Sequence, residues 1–86
     1  LMPKILFDQK AEKGLIKLLR QDKEKVARAV AQMRISPFES LNVKRYQDSG
    51  GKFYRVRVGK IRIIFEFDSK TDTVFISDIN YRGNIY

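Results

Sequence analysis

Eighty-six residues with a formal net charge of +8 and neither Cys nor His make one small basic domain, near the size at which a single core barely offsets chain entropy. This composition excludes a disulfide framework, a thiolate zinc site and imidazole acid–base chemistry. No apolar run approaches the roughly 20 residues that span a bilayer, and no charged-then-apolar leader opens the chain, so a single cytoplasmic domain over 1–86 is expected, with no membrane and no cofactor.

Pro3 to Phe7 is a short apolar run that reads as a first strand, and Asp8 is placed to cap a helix after it. Ala11, Leu15, Leu18 and Leu19 then recur at the spacing of a buried helical stripe, within which Gly14 costs roughly 1 kcal/mol against Ala. Asp22 offers a second cap. Val26, Ala29, Val30 and Met33 repeat the pattern until Ser36-Pro37 stops it, which predicts two antiparallel helices with a tight junction. Lys23, Lys25, Arg28 and Arg34 lie mostly off this stripe and read as a solvated face.

From Leu41 the period changes to two. A strand over 41–46, a polar turn at 47–51, a hairpin over 53–67, a connection at 68–72 and a strand over 73–81 follow, the turns being identified by their Gly, Asp and Ser chemistry. The order reads β-α-α-β-β-β. It predicts an α+β fold with an N-terminal strand and an antiparallel helical hairpin, the hairpin packed on one face of a small antiparallel sheet and the other face left open.

The hairpin is the most informative stretch. Its alternation sends Tyr54, Val56, Val58, Ile61, Ile63, Phe65 and Phe67 to one face and Arg55, Arg57 and Arg62 to the other. With Gly59-Lys60 as a two-residue turn, Val58 pairs with Ile61 and Arg57 lies opposite Arg62. Like charges paired across strands destabilise a sheet, so three guanidinium groups on one small face, with Glu66 the one acid expected beside them, point to a bound polyanion. The segment from Lys44 to Arg62 carries most of the excess charge: Lys44, Arg45, Lys52 and Lys60 join the three arginines against Asp48 alone. Tyr46, Phe53 and Tyr54 interleave with them as in RNA-contacting surfaces. Lys44, Arg45, Lys52 and Lys60 are therefore candidate phosphate-binding residues; the competing reading is a cationic face that keeps a small protein in solution or meets acidic lipid.

Walker, Rossmann and nucleophile-elbow motifs are absent, and the carboxylates show no metal-ligand spacing. Arg, Lys and Tyr nonetheless suffice for cleavage of RNA by its own 2′-hydroxyl. The substrate supplies the nucleophile, and the protein must align it, hold charge on the phosphorus oxygens and protonate the leaving 5′-oxygen. Arg suits the charge and not the proton. The sequence closes with Arg82 and, four residues later, Tyr86, whose ring could stack on a base while its hydroxyl offers a proton, or could instead cover the core edge.

The string Tyr54-Arg55-x-Arg57-x-Gly59-x-x-Arg62, preceded by Leu41-x-x-x-x-Tyr46 and followed by Ile79-x-Tyr81-Arg82-x-x-Ile85-Tyr86, resembles the RelE/ParE superfamily of toxin–antitoxin toxins, nearest its RelE branch, over almost the whole chain. The resemblance implies a microbial-ribonuclease-like fold and metal-independent cleavage of messenger RNA in the ribosomal A site, which inhibits translation. It also implies a heteromeric complex with a cognate antitoxin. By position, Arg55 and Arg57 stand where relatives carry basic residues, commonly Lys, near the scissile phosphate. Arg62 matches the arginine that stabilises transition-state charge, and Arg82 and Tyr86 match the C-terminal arginine and tyrosine. With Arg at both 55 and 57, the proton-transfer role of a lysine passes to Lys52, Lys60 or Glu66, or the member is slow or inactive. ParE-type relatives share the scaffold but act on DNA gyrase, which is the alternative function.

Overall fold

The computed structural model describes residues 3–38, 43–45 and 53–81. In chain order these form β1 (Lys4–Phe7), α1 (Gln9–Ile16), α2 (Arg20–Ile35), β2 (Val43–Arg45), β3 (Tyr54–Val58), β4 (Ile61–Asp68) and β5 (Thr73–Tyr81). The strands make one five-stranded sheet in the order β1-β5-β4-β3-β2. The architecture is the expected α+β one, with one difference in the sheet. Four strands follow the helices, as the expected strand, hairpin and strand add up to, the order β-α-α-β-β-β having one strand too few for its own hairpin. The first strand joins parallel to the last, Lys4 beside Thr73 through Phe7 beside Ile76, so the sheet is mostly rather than wholly antiparallel.

Gly59 takes φ +59° at the head of the β3–β4 turn, a conformation that glycine adopts without strain. Val58 pairs with Ile61 as the Gly-first turn requires. At the other turn, the Lys70 N–H donates to Asp68 Oδ1 over 3.0 Å, and Asp72 is left-handed at φ 53°. The Thr71 hydroxyl first, and the Lys70 N–H after it, hold the Asp68 carboxyl below its ordinary range.

The helical region departs from the sequence reading at its caps. Asp8 does sit at the N-cap of α1, but its side chain makes no capping bond; its N–H instead donates to the Ile76 carbonyl over 2.8 Å, prolonging the β1–β5 pairing. The apolar stripe ends at Leu18. Leu19, expected inside it, is 62% exposed and takes the extended backbone of the α2 N-cap. Asp22 therefore lies in the first turn of α2, where its carboxylate is buried and accepts a hydrogen bond from the Tyr81 hydroxyl at 2.8 Å. The same hydroxyl accepts from the Leu19 N–H at 3.0 Å. One phenol thus ties the α1–α2 junction to the end of β5.

Ala11, Leu18, Val26, Ala29 and Met33 bury against Val56, Ile61, Ile63, Phe65, Val74, Ile76 and Ile79 of the sheet. Just past α2, Phe38 packs edge-on to Tyr54 at 4.9 Å and to Phe67 at 5.6 Å, while Tyr54 stacks on Phe65. Such pairs contribute about 0.5–1.5 kcal/mol each beyond the area they bury. Gly14 has a packing reason as well: a Cβ there would run into the Ile79 carbonyl of β5, so α1 approaches that strand as only glycine permits. None of the described helices is long and apolar enough to cross a membrane.

Candidate nucleic-acid interface

Paired residues of an antiparallel ladder project to the same face. Tyr54, Val56, Ile61, Ile63 and Phe65 pack beneath the helices as the alternation predicts, and the opposite face is built from their neighbours. Arg57 lies directly across from Arg62, and Arg55 across from Ile64. Lys44 of β2 stands opposite Arg55 on the same face. Arg57 is exposed, whereas Arg55 and Arg62 are half-buried. Ile64, between Arg62 and Glu66 on this face, is only 6% exposed, so the surrounding side chains close over it and the face is not bare.

A register shift completes the face. Ile64 pairs with Asp78 and Phe65 with Ile76, which leaves Ser77 as one extra residue in β5. Such a bulge inverts the alternation of everything after it. Val74 and Ile76 point to the core before it and Ile79 and Tyr81 after it, while Asp78 and Asn80 are delivered to the arginine side, Asn80 opposite Arg62. Neither was among the expected site residues. The signal was present in Ile76-Ser77-Asp78-Ile79, where two polar residues separate apolar ones that should be two apart. Asp78 is only 17% exposed and its carboxylate lies 3.8 Å from Lys10 Nζ of α1, so the face has a second acid besides Glu66, already engaged by a lysine.

Of the other basic candidates, Arg45 pairs with Tyr54, which places it on the helix side; its guanidinium lies 6.0 Å from the Tyr54 ring centre, within cation–π range. It therefore does not join Arg55, Arg57 and Arg62. Lys60 is exposed in the turn beside Arg62. Lys52, Arg82 and Tyr86 lie outside the described residues. Among the described residues no three His, Cys, Asp or Glu side chains gather as a metal site requires. The arrangement offers three guanidinium forks and a lysine at the sheet edge, suited to multidentate recognition of phosphate oxygens.

No protein-family model and no curated protein sequence matches the chain. Solved structures do. The chain is similar to one from the archaeal RelE–RelB complex of Pyrococcus horikoshii OT3, with a TM-score of 0.82 at 19% identity over 99% of this chain and 100% of that one. It is also similar to one from the toxin–antitoxin complex RelBE2 of Mycobacterium tuberculosis, with a TM-score of 0.83 at 19% identity over 95% and 100%. A YoeB/ParE toxin from Agrobacterium tumefaciens matches with a TM-score of 0.76 at 12% identity over 92% and 98%. The chain has the RelE-like fold.

Proposed function

We propose that this chain is the toxin of a toxin–antitoxin pair, a cytoplasmic, metal-independent endoribonuclease that cuts messenger RNA on the ribosome and is silenced by a cognate antitoxin. The observation that carries the reading is the placement of Arg57 opposite Arg62, with Arg55 on the same face of a RelE-like sheet. Folding alone disfavours that pairing, and a phosphodiester offsets it. The similar structures with RelB partners support an antitoxin for this chain too.

In the reaction the 2′-hydroxyl loses its proton and its oxygen bonds to phosphorus, while the bond from phosphorus to the 5′-oxygen breaks and that oxygen takes up a proton. Arg57 and Arg62 hold the charge that grows on the non-bridging oxygens, and half-buried Arg62 is the better pre-organised of the two. Arg55 and Lys44 hold the neighbouring backbone. The guanidinium groups do not exchange protons at neutral pH, which leaves proton transfer to the face's carboxylates, Glu66 and Asp78, to Lys60, and to Lys52 and Tyr86 among the residues not described.

In vitro translation with primer extension, run with the purified chain with and without ribosomes, tests this directly. Discrete cuts that require ribosomes are expected. Intact messenger RNA together with inhibited gyrase supercoiling would replace the ribonuclease by the ParE-type activity.

A further inference from the structure

The basic residues of α2 have no part in the face described above. Lys25, Arg28, Ala29 and Gln32 fall three to four residues apart along one side of that helix and, together with Arg57 and Val58 at the end of β3, line a cleft of about 260 Å³. Buried Ala29 lies between the polar side chains. None of the lining residues is acidic. A Cβ added to Gly59 would come to 3.3 Å from Lys25 Nζ, so the ammonium sits over the β3–β4 turn, one residue from the strand that carries Arg57. Two separate elements thus bring three cations to one concavity, although like charges gathered there repel one another.

We infer that this cleft is a second phosphate site, holding a backbone phosphate of the RNA strand next to the scissile one. The inference rests on the ribonuclease reading above and deepens it. Arg57 belongs to both places: it stands opposite Arg62 on the sheet and walls the cleft. A strand crossing the sheet edge therefore presents one phosphate to Arg57 and Arg62 and an adjoining phosphate to Lys25 and Arg28. Arginine supplies a fork for two oxygens and lysine a mobile point charge. Phosphate contacts of this kind set register and carry no sequence information. The cleft thus aligns the RNA without selecting a codon.

The test has two arms. In the first, inorganic phosphate is titrated into the labelled chain and amide shifts are followed; Gly59, Lys25 and Arg28 should move together, and Lys25→Ala/Arg28→Ala should abolish the response. In the second, binding of a short 2′-O-methyl RNA, which cannot be cut, is measured against salt. The double variant should bind about 10-fold more weakly, with a log–log salt slope shallower by about 0.7, the value of one single-strand phosphate contact. Lys23→Ala/Arg34→Ala removes the same charge from exposed positions outside the cleft and should keep the wild-type slope. Unmoved amides with an unchanged slope overturn the inference even if the chain cuts messenger RNA. A phosphate response without a slope change overturns it too, since RNA then ignores the site. Both arms positive in a chain that cuts no messenger RNA uphold the cleft and remove the ribonuclease reading.

Discussion

The Tyr81 hydroxyl donates to the carboxylate of Asp22 across 2.8 Å, joining residues 59 apart in sequence, and accepts from the Leu19 N–H. Asp22 is 4% exposed, so water does not readily replace the lost donor. Tyr81→Phe strips a buried carboxylate and a helix-start N–H of the same partner, and should destabilise the fold by about 1–3 kcal/mol. Urea denaturation measures this, and Asp22→Asn, which keeps an acceptor, should lose less. Because Tyr81 ends β5 immediately before Arg82, RNA cleavage should fall further than stability at a temperature where the variant is still folded.

Gly14→Ala should destabilise, against helix propensity. Alanine favours the helix by roughly 1 kcal/mol, but its methyl would meet the Ile79 carbonyl of β5, which belongs to a sheet backbone and does not yield. A net loss of about 1–3 kcal/mol is expected, in the range of overpacked cores. A thermal midpoint equal to or above the wild-type value would refute the close approach of α1 to β5.

Arg62→Ala should lower the cleavage rate by on the order of 10²-fold or more, the scale for losing one donor to developing charge. Its stability should stay level or rise, since the repulsion with Arg57 across the ladder is relieved. Single-turnover cleavage and the thermal midpoint are measured on one preparation, and a variant that unfolds while the Arg57→Ala variant does not would make Arg62 a structural residue.

The Asp68 carboxyl should titrate below the ordinary carboxylate value, held down first by the Thr71 hydroxyl and then by the Lys70 N–H. A depressed folded-state pKa contributes stability that is present above the unfolded-state pKa and lost as pH falls through the folded one. Solvent screening at the end of β4 keeps the contribution small. Carboxyl chemical shifts followed against pH should show the Thr71→Val midpoint moving up toward the ordinary value, with little change in stability at neutral pH.

Local pattern carried much of the fold. Gly59-Lys60 set the hairpin register, and with it the opposition of Arg57 and Arg62, because a two-residue turn leaves no freedom in what faces what. Val26, Ala29 and Met33 marked the buried side of α2 by periodicity alone. What escaped depends on contacts distant in sequence. Asp22 has the chemistry of a helix cap, and only the arrival of Tyr81 explains why it is spent elsewhere. The parallel pairing of β1 leaves no local trace, since Lys4 to Phe7 looks the same whichever neighbour it has. Asp78 differs: the alternation breaks visibly at Ser77-Asp78, but the side of the sheet that each residue takes is set by the pairing of Ile64 with Asp78 and of Phe65 with Ile76.

The position of β1 beside β5 also bears on how the chain is made. In the sheet order β1-β5-β4-β3-β2 the first of the described strands has the last of them as its partner, and the phenol that closes the α1–α2 junction belongs to Tyr81 at the end of β5. Pairings so remote in sequence raise contact order and slow folding. While the chain is still growing, Lys4 to Phe7 and the apolar side of α1 wait without a platform. The sheet that carries the arginine face cannot be assembled stepwise from β1, and it is complete only once β5 has arrived to lie between β1 and β4.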